Sequence, residues 1–295
     1  MGKIETVAVI GGGLMGSGIA EVSAKAGYDT LLREIDQDLA DRARGRIEKS
    51  LGRAVDKGKL EAADRDAALE RLTCVTALAD LADADIVIEA VTEDLPLKRE
   101  IFGELDTLCG PETIFASNTS SLTIVDMAAA TNRPDRMVGL HFFNPVPVMK
   151  LVEVVRTIAT SDEAFRAAFD FARSLGKEPI VAKDTSGFIV NRLLVPYMLD
   201  AIRGLESGLG TVEDIDKGMT LGTGYPMGPF VLGDFVGLDT LHKIAEIMFD
   251  EFREARFAPP PLLTRMNSMG YYGRKSGKGF YDYSGETPVP TDLGL

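Results

Sequence analysis

A short apolar run that breaks into clustered glycines restricts this chain more than any other feature. Thr6-Val7-Ala8-Val9-Ile10 is uncharged and β-branched, suited to burial on both faces of a parallel sheet, and it ends in Gly11-Gly12-Gly13-Leu14-Met15-Gly16. Helical spacing follows at Leu14, Ser17/Gly18, Glu21/Val22 and Lys25; Gly27 stops the helix, and a second strand runs from Thr30 to Arg33. Glu34 closes that strand, 18 residues after Gly16. A lone GxGxxG is weak evidence, because 30 glycines make chance matches. Here the motif follows a buried strand, opens a helix and is answered by an acidic residue at the end of the next strand. That is the context a dinucleotide fingerprint requires: Gly11 for the tight turn, Gly13 for close approach of a pyrophosphate, Gly16 for helix against strand. Leu14 and Met15 complete the candidate cofactor-binding turn.

The rest of the chain continues the pattern. Asp36 to Arg71 is charged, Ala-rich and reads as helical, with Arg42, Arg46, Lys49, Arg53 and Lys57 on a recurring face. A basic helix face, taken alone, is most often a solvated one. Strands are expected at Asp85–Ala90, Thr113–Ser117 and Met137–His141, with a helix from Leu97 to Leu108. Strands alternating with helices predict right-handed crossovers and a doubly wound, Rossmann-type α/β sheet. Lys150–Val155 lies only eight residues past the preceding strand, too close for a helical crossover, so it is expected to add antiparallel. A helix over Asp162–Leu175 and a strand over Pro179–Ala182 complete this half.

Lys183-Asp184-Thr185-Ser186-Gly187 reads as a joint. The expected organisation is a dinucleotide-binding domain over 1–185 and a second, smaller all-helical domain over 186–295. Phe188–Ile202 is apolar around most of its circumference, predicting a buried helix kinked by Pro196. Helices are also expected from Thr211 and through Leu238–Phe252.

Composition sharpens the reading. Against 32 Lys and Arg stand 45 Asp and Glu, a net charge of −13. Nucleic acid and anionic membrane surfaces both require a cationic footprint, so neither is an expected partner. A dianionic cofactor must instead be met locally, and a helix N-terminus does this with backbone N–H groups. No stretch resembles a membrane span or a secretory signal. Cys74 and Cys109 are too few for a disulfide framework and lack metal-ligand spacing, so a reducing compartment, the cytoplasm or an organelle matrix, and no metal are expected. Glu34 would accept from adenosine ribose hydroxyls and repel a 2′-phosphate, which favours NAD over NADP; Arg33, beside it, could turn to meet such a phosphate.

The chain has two histidines. A single histidine is usually structural, but His141 falls at the carboxyl end of an inferred parallel strand, where open α/β sheets place ligands. Phe142, Phe143, Asn144, Pro145 and Pro147 surround it rigidly, and the next strand brings Glu153 alongside. A carboxylate beside an imidazole fixes its tautomer and stabilises the imidazolium, as a base that accepts an alcohol proton requires. His242 lies in an amphipathic helix without such a partner and reads as structural.

At this point the motifs resemble a known family. Ser117-Asn118-Thr119-Ser120-Ser121, His141-Phe142-Phe143-Asn144-Pro145, Gly187-Phe188-Ile189-Val190-Asn191-Arg192, Gly224-Tyr225-Pro226-Met227-Gly228-Pro229 and Gly277-Lys278-Gly279-Phe280-Tyr281 span nearly the whole chain in order. They are similar to the NAD-dependent (S)-3-hydroxyacyl-CoA dehydrogenases, of the short 3-hydroxybutyryl-CoA dehydrogenase type. The resemblance implies that His141 is the general base, Glu153 its orienting partner, Ser120 a ligand to the 3-oxygen that helps bind both ligands, and Asn191 the residue that pins the thioester. It implies NAD contacts at Glu93, Lys98, Asn144 and Lys275, CoA contacts at Ser50 and Lys57, and a homodimer. The basic run Lys49, Arg53, Lys57 and Lys59 then becomes a docking surface for CoA phosphates. Ser186 stands where many relatives have proline, a change expected to loosen the joint.

Two other readings share this fold. One is a dehydrogenase of a free hydroxy or sugar acid, for which a basic CoA-docking face has no use. The other is a non-catalytic, crystallin-like dinucleotide-binding protein, against which the joint presence of Ser120, His141, Glu153 and Asn191 argues.

Overall fold

The computed structural model describes residues 3–294, and they divide into two compact units at Phe188/Ile189. In the first, the strands are β1 (Thr6–Ile10), β2 (Asp29–Arg33), β3 (Leu72–Val75), β4 (Ile86–Glu89), β5 (Ile114–Ser117), β6 (Met137–Phe142), β7 (Leu151–Arg156) and β8 (Glu178–Lys183). They form one sheet in the order β3-β2-β1-β4-β5-β6-β7-β8. β1 to β6 are parallel, in the 3-2-1-4-5-6 order of dinucleotide-binding sheets, which puts the switch point beside β1. β7 joins β6 antiparallel, as its short connection dictates, and β8 runs parallel to β7.

The helices are α1 (Leu14–Lys25), α2 (Gln37–Asp56), α3 (Ala62–Glu70), α4 (Leu95–Leu108), α5 (Ile124–Ala128) and α6 (Asp162–Ser174). Alternation along the strands sorts the core into two layers. Val7, Val9, Ile86, Ile88, Leu140 and Val152 face α1, α2 and α6. Ala8, Ile10, Val87, Phe115 and Val155 face α4 and α5. Both layers exclude water, which explains strands that are apolar almost throughout. The long helical region breaks at Gly58, whose φ of +64° places it in the left-handed region that favours glycine, so two helices stand where one was expected.

The second unit contains α7 (Val190–Glu206), α8 (Val212–Thr223), α9 (Pro229–Val236), α10 (Leu238–Phe252) and α11 (Pro261–Ser268), with a short hairpin of β9 (Tyr281–Asp282) and β10 (Val289–Pro290) added to the helices. Its core gathers Leu199, Ile202, Phe230, Leu241, Met248 and Phe280. Two buried carboxylates hold the ends together: Asp216 accepts from the Phe230 and Val231 N–H groups and the Tyr281 hydroxyl, and Asp234 from the Phe280 and Tyr281 N–H groups and the Tyr283 hydroxyl. α7 carries Pro196 and is amphipathic rather than buried all round, with Leu193 66% exposed. Among the described residues no helix is long and apolar enough to cross a membrane.

Candidate active site

The glycine turn does what each position demands. Gly11 has φ +94°, and a Cβ there would meet the Ala90 carbonyl at 2.9 Å; a Cβ on Gly16 would sit 1.8 Å from the Gly11 carbonyl oxygen. Gly13 is the reverse case, with nothing within 4 Å of such a Cβ, so the space over it is open to a ligand. Gly13 is also the N-cap of α1, no side chain caps that turn, and no acidic residue enters it. The positive helix end is thus left for an anion. Gly11, Gly13, Leu14, Met15 and Glu34 line one cleft of about 670 Å³. Glu34 accepts from the Gly12 N–H at 2.6 Å, while Arg33, which lines the same cleft, donates through Nε to the Thr76 carbonyl at 3.0 Å. This turn, with its open Gly13 and a carboxylate at the ribose position, fits a dinucleotide.

His141 and Glu153 oppose each other in the β6/β7 register, and residues directly opposite in an antiparallel pair share a face. His141 Nδ1 lies 2.6 Å from Glu153 Oε2, with the imidazole 4% exposed and the carboxylate wholly buried. An ionised carboxylate can only accept, so Nδ1 carries the proton and Nε2 keeps its lone pair. The imidazole packs against Phe143 at 4.5 Å and Phe188 at 5.6 Å between ring centroids. Phe188 was expected inside a helix. It stands before α7 with φ +46°, a left-handed conformation unusual for a side chain of its size. Asn118 accepts the Phe142 N–H at 2.9 Å and so ties the end of β6 to the turn after β5.

That turn presents Ser120. Glu93 Oε1 accepts from the Thr119 hydroxyl at 2.6 Å, the Ser120 N–H at 3.0 Å, the Ser121 N–H at 3.1 Å and the Ser121 hydroxyl at 2.9 Å. Burial pushes the Glu93 carboxyl up, but the Lys98 charge and these hydrogen bonds outweigh it and hold the group below the usual carboxylate range. Lys98 is 1% exposed, with its ammonium 2.6 Å from Glu89 and 3.5 Å from Glu93. It is buried between these two carboxylates.

A second cleft, of about 370 Å³, runs between α1, α2 and the Asn144–Val148 loop. Ser50, Arg46, Lys49, Arg53 and Asn144 line it, which brings Asn144 beside the expected CoA residues. Lys57 caps α2 one turn past Arg53, outside that lining. Sequence reasoning missed Glu21 on the cleft floor. Burial pushes its carboxyl up, against a hydrogen bond with Ser50 and the charges of Lys25 and Lys177. It missed Arg46 as well, which donates to the Gly12 carbonyl of the glycine turn. Both lie on faces that helical spacing alone points at the α1/α2 seam.

In the second unit Asn191 falls in the first turn of α7, and Lys275 is ion-paired to Asp239 at 2.5 Å. His242 was expected to lack a carboxylate. Glu246, one turn on, lies 3.3 Å from its Nδ1, and its Nε2 is 3.1 Å from the Thr264 hydroxyl; i,i+4 spacing was the available signal. At the joint, Ser186 donates to the Ser121 carbonyl at 2.7 Å, a bond that a proline could not make. Among the described residues no group of three or more His, Cys, Asp or Glu could hold a metal.

Known proteins place the chain in a family. Residues 6–185 match the model of the 3-hydroxyacyl-CoA dehydrogenase NAD-binding domain, and residues 187–283 match that of the C-terminal domain of the same family. The chain is 54% identical over 282 residues to a 3-hydroxybutyryl-CoA dehydrogenase of Mycobacterium tuberculosis, covering 95% of this chain and 99% of the relative. It is 46% identical to human mitochondrial hydroxyacyl-coenzyme A dehydrogenase over 287 residues, covering 95% of this chain and 91% of that one. The crystal structure of M. tuberculosis FadB2 superposes with a TM-score of 0.94 at 53% identity, over 96% of this chain and all of that one. That of (S)-3-hydroxybutyryl-CoA dehydrogenase PaaH1 from Ralstonia eutropha gives 0.93 at 43%, over 96% and 100%.

Proposed function

Because this chain belongs to the 3-hydroxyacyl-CoA dehydrogenase family, we propose that it interconverts (S)-3-hydroxyacyl-CoA and 3-ketoacyl-CoA, with NAD as cofactor and His141 as the base. The observation that carries the reading is the buried His141–Glu153 pair at 2.6 Å, on the carboxyl end of a sheet whose first turn fits a dinucleotide. NAD, when bound, supplies the acceptor for the C3 hydride. The chain's residues do the rest. His141 Nε2 takes the proton of the C3 hydroxyl; Glu153 holds the ring by Nδ1 and balances the charge the ring gains. Ser120 hydrogen-bonds the 3-oxygen, and Asn191 pins the thioester. Gly11, Gly13, Leu14, Met15, Gly16 and Glu34 hold the cofactor, with Glu93, Asn144 and Lys275 as further contacts and Lys98 behind Glu93.

CoA is read onto the α1/α2 cleft, where Arg46, Lys49 and Arg53 offer cations to its phosphates and Ser50 a hydroxyl; Lys57 extends that charge along α2. A free hydroxy acid would leave this cleft without use, so the acyl-CoA reading is preferred. The protein is further proposed to act in the cytoplasm, consistent with two unpaired cysteines, and as a homodimer, consistent with Leu193, Leu209, Leu221 and Met269 exposed on the second unit.

The test is substrate truncation. Moving the 3-hydroxybutyryl group from CoA to a small thiol should lower kcat/KM steeply, and equal efficiency on both would contradict the CoA reading. In the same assay NAD should be preferred to NADP; parity would remove the role given to Glu34.

A further inference from the structure

Glu89 ends β4 on the sheet face that α4 and α5 cover, the face it shares with Val87. A carboxylate there is wholly buried, and burying a charge is unfavourable unless it is paired and hydrogen-bonded. Glu89 is answered by one cation and two further donors. Oε1 accepts from Lys98 Nζ at 2.6 Å and from the Val91 N–H at 2.7 Å, and Oε2 accepts from the Ser117 hydroxyl at 2.6 Å. Ser117 Oγ in turn accepts the Thr119 N–H at 3.2 Å. From the other side Lys98 reaches Glu93 at 3.5 Å, and Glu93 gathers Thr119, Ser120 and Ser121. The path leaves the turn at Ser117 and returns to it at Thr119–Ser121. It is a closed ring around the segment that presents Ser120.

We propose that Glu89 and Ser117 are positioning residues for the reaction: the ring Ser117–Glu89–Lys98–Glu93 fixes the backbone of the Ser117–Ser121 turn, and so the place of the Ser120 hydroxyl. The inference rests on the reading of Ser120 as the residue that meets the 3-oxygen. Apolar residues could fill the same space, but they would not set direction. Four donors converge on one oxygen of Glu93, and the ammonium that orients Glu93 is itself held by Glu89. The depressed titration of Glu93 agrees with a carboxylate kept ionised for this purpose. Hydrogen bonds to charged groups are the strong, directional ones.

A double-mutant cycle tests it, because residues acting through one another are non-additive. With the full chain, NAD and (S)-3-hydroxybutyryl-CoA, Ser117→Ala should lower kcat/KM about tenfold, the lower end of what a hydrogen bond to a charged group is worth. Glu89→Gln should lower it by about tenfold or more, as misplaced catalytic groups do. In the Ser120→Ala background either change should cost less than about twofold, since the hydroxyl they place is gone. If Glu89→Gln does not fold, Ser117→Ala carries the cycle with every charge retained. The same fractional loss in both backgrounds, or no loss from Ser117→Ala in the wild type, overturns the proposal while the reading of Ser120 stands. Wild-type kinetics for Ser120→Ala itself overturn both.

Discussion

His141 and Glu93 are two residues whose chemistry is set by what they are given to hold. His141 donates Nδ1–H to a carboxylate that can only accept, so its basic nitrogen is Nε2 by exclusion. Glu93 is ionised in the fold because a lysine and four donors answer it. Its folded-state pKa lies below the ordinary value of 4.5, so folding favours the charged form. The stability this contributes is fully present above the unfolded pKa and is lost as pH falls through the lower folded one. In urea unfolding, Glu93→Gln should therefore be destabilised by a constant amount above about pH 5, with the gap to wild type closing on further acidification. A gap that widens in acid would contradict the assignment. At this scale the sequence was legible where rarity and register combined: with two histidines in the chain, a strand-end histidine with a glutamate on the adjacent strand stood out. Glu89 did not stand out, because its partners come from α4 and from the end of β5, and nothing local in Ile86-Val87-Ile88-Glu89 announces them.

α1 and α2 show how elements build a ligand surface from ordinary periodicity. α1 is buried along Gly16–Ala24, and α2 buries Ala40, Ala43, Ile47 and Leu51 against the same layer while Lys49 and Arg53 stay at the rim of the cleft. Such exposed cations act over roughly a Debye length, about 8–10 Å near physiological salt. Replacing Lys49 and Arg53 by alanine should raise KM for the acyl-CoA several-fold at low salt, with KM for NAD unchanged, and the difference should shrink as salt is added. A salt-independent effect would place these side chains outside CoA recognition. Strands buried on both faces were legible as apolar runs, and the reversal at β7 as a connection too short for a helix. β3 was not: Leu72–Val75 sits at the sheet edge with only Leu72 fully buried, so Thr73 and Cys74 break the apolar signal. The break at Gly58 was equally hidden, since one glycine in a helical pattern is tolerated more often than it is a stop.

The whole molecule reconciles a net charge of −13 with anionic ligands by placing donors locally. An uncapped helix end faces the open space over Gly13, and three cations line a neighbouring cleft. Polyanionic surfaces remain poor partners for such a chain, whereas compact phosphates are accommodated. Oxidation of a 3-hydroxyacyl-CoA with His141 as the base is read out by turnover. Purified protein given (S)-3-hydroxybutyryl-CoA and NAD should form NADH. His141→Ala should lose at least about 100-fold in kcat, the lower end of what a general base contributes, while keeping the native circular-dichroism spectrum. Near wild-type turnover in that folded variant would remove His141 from the chemistry.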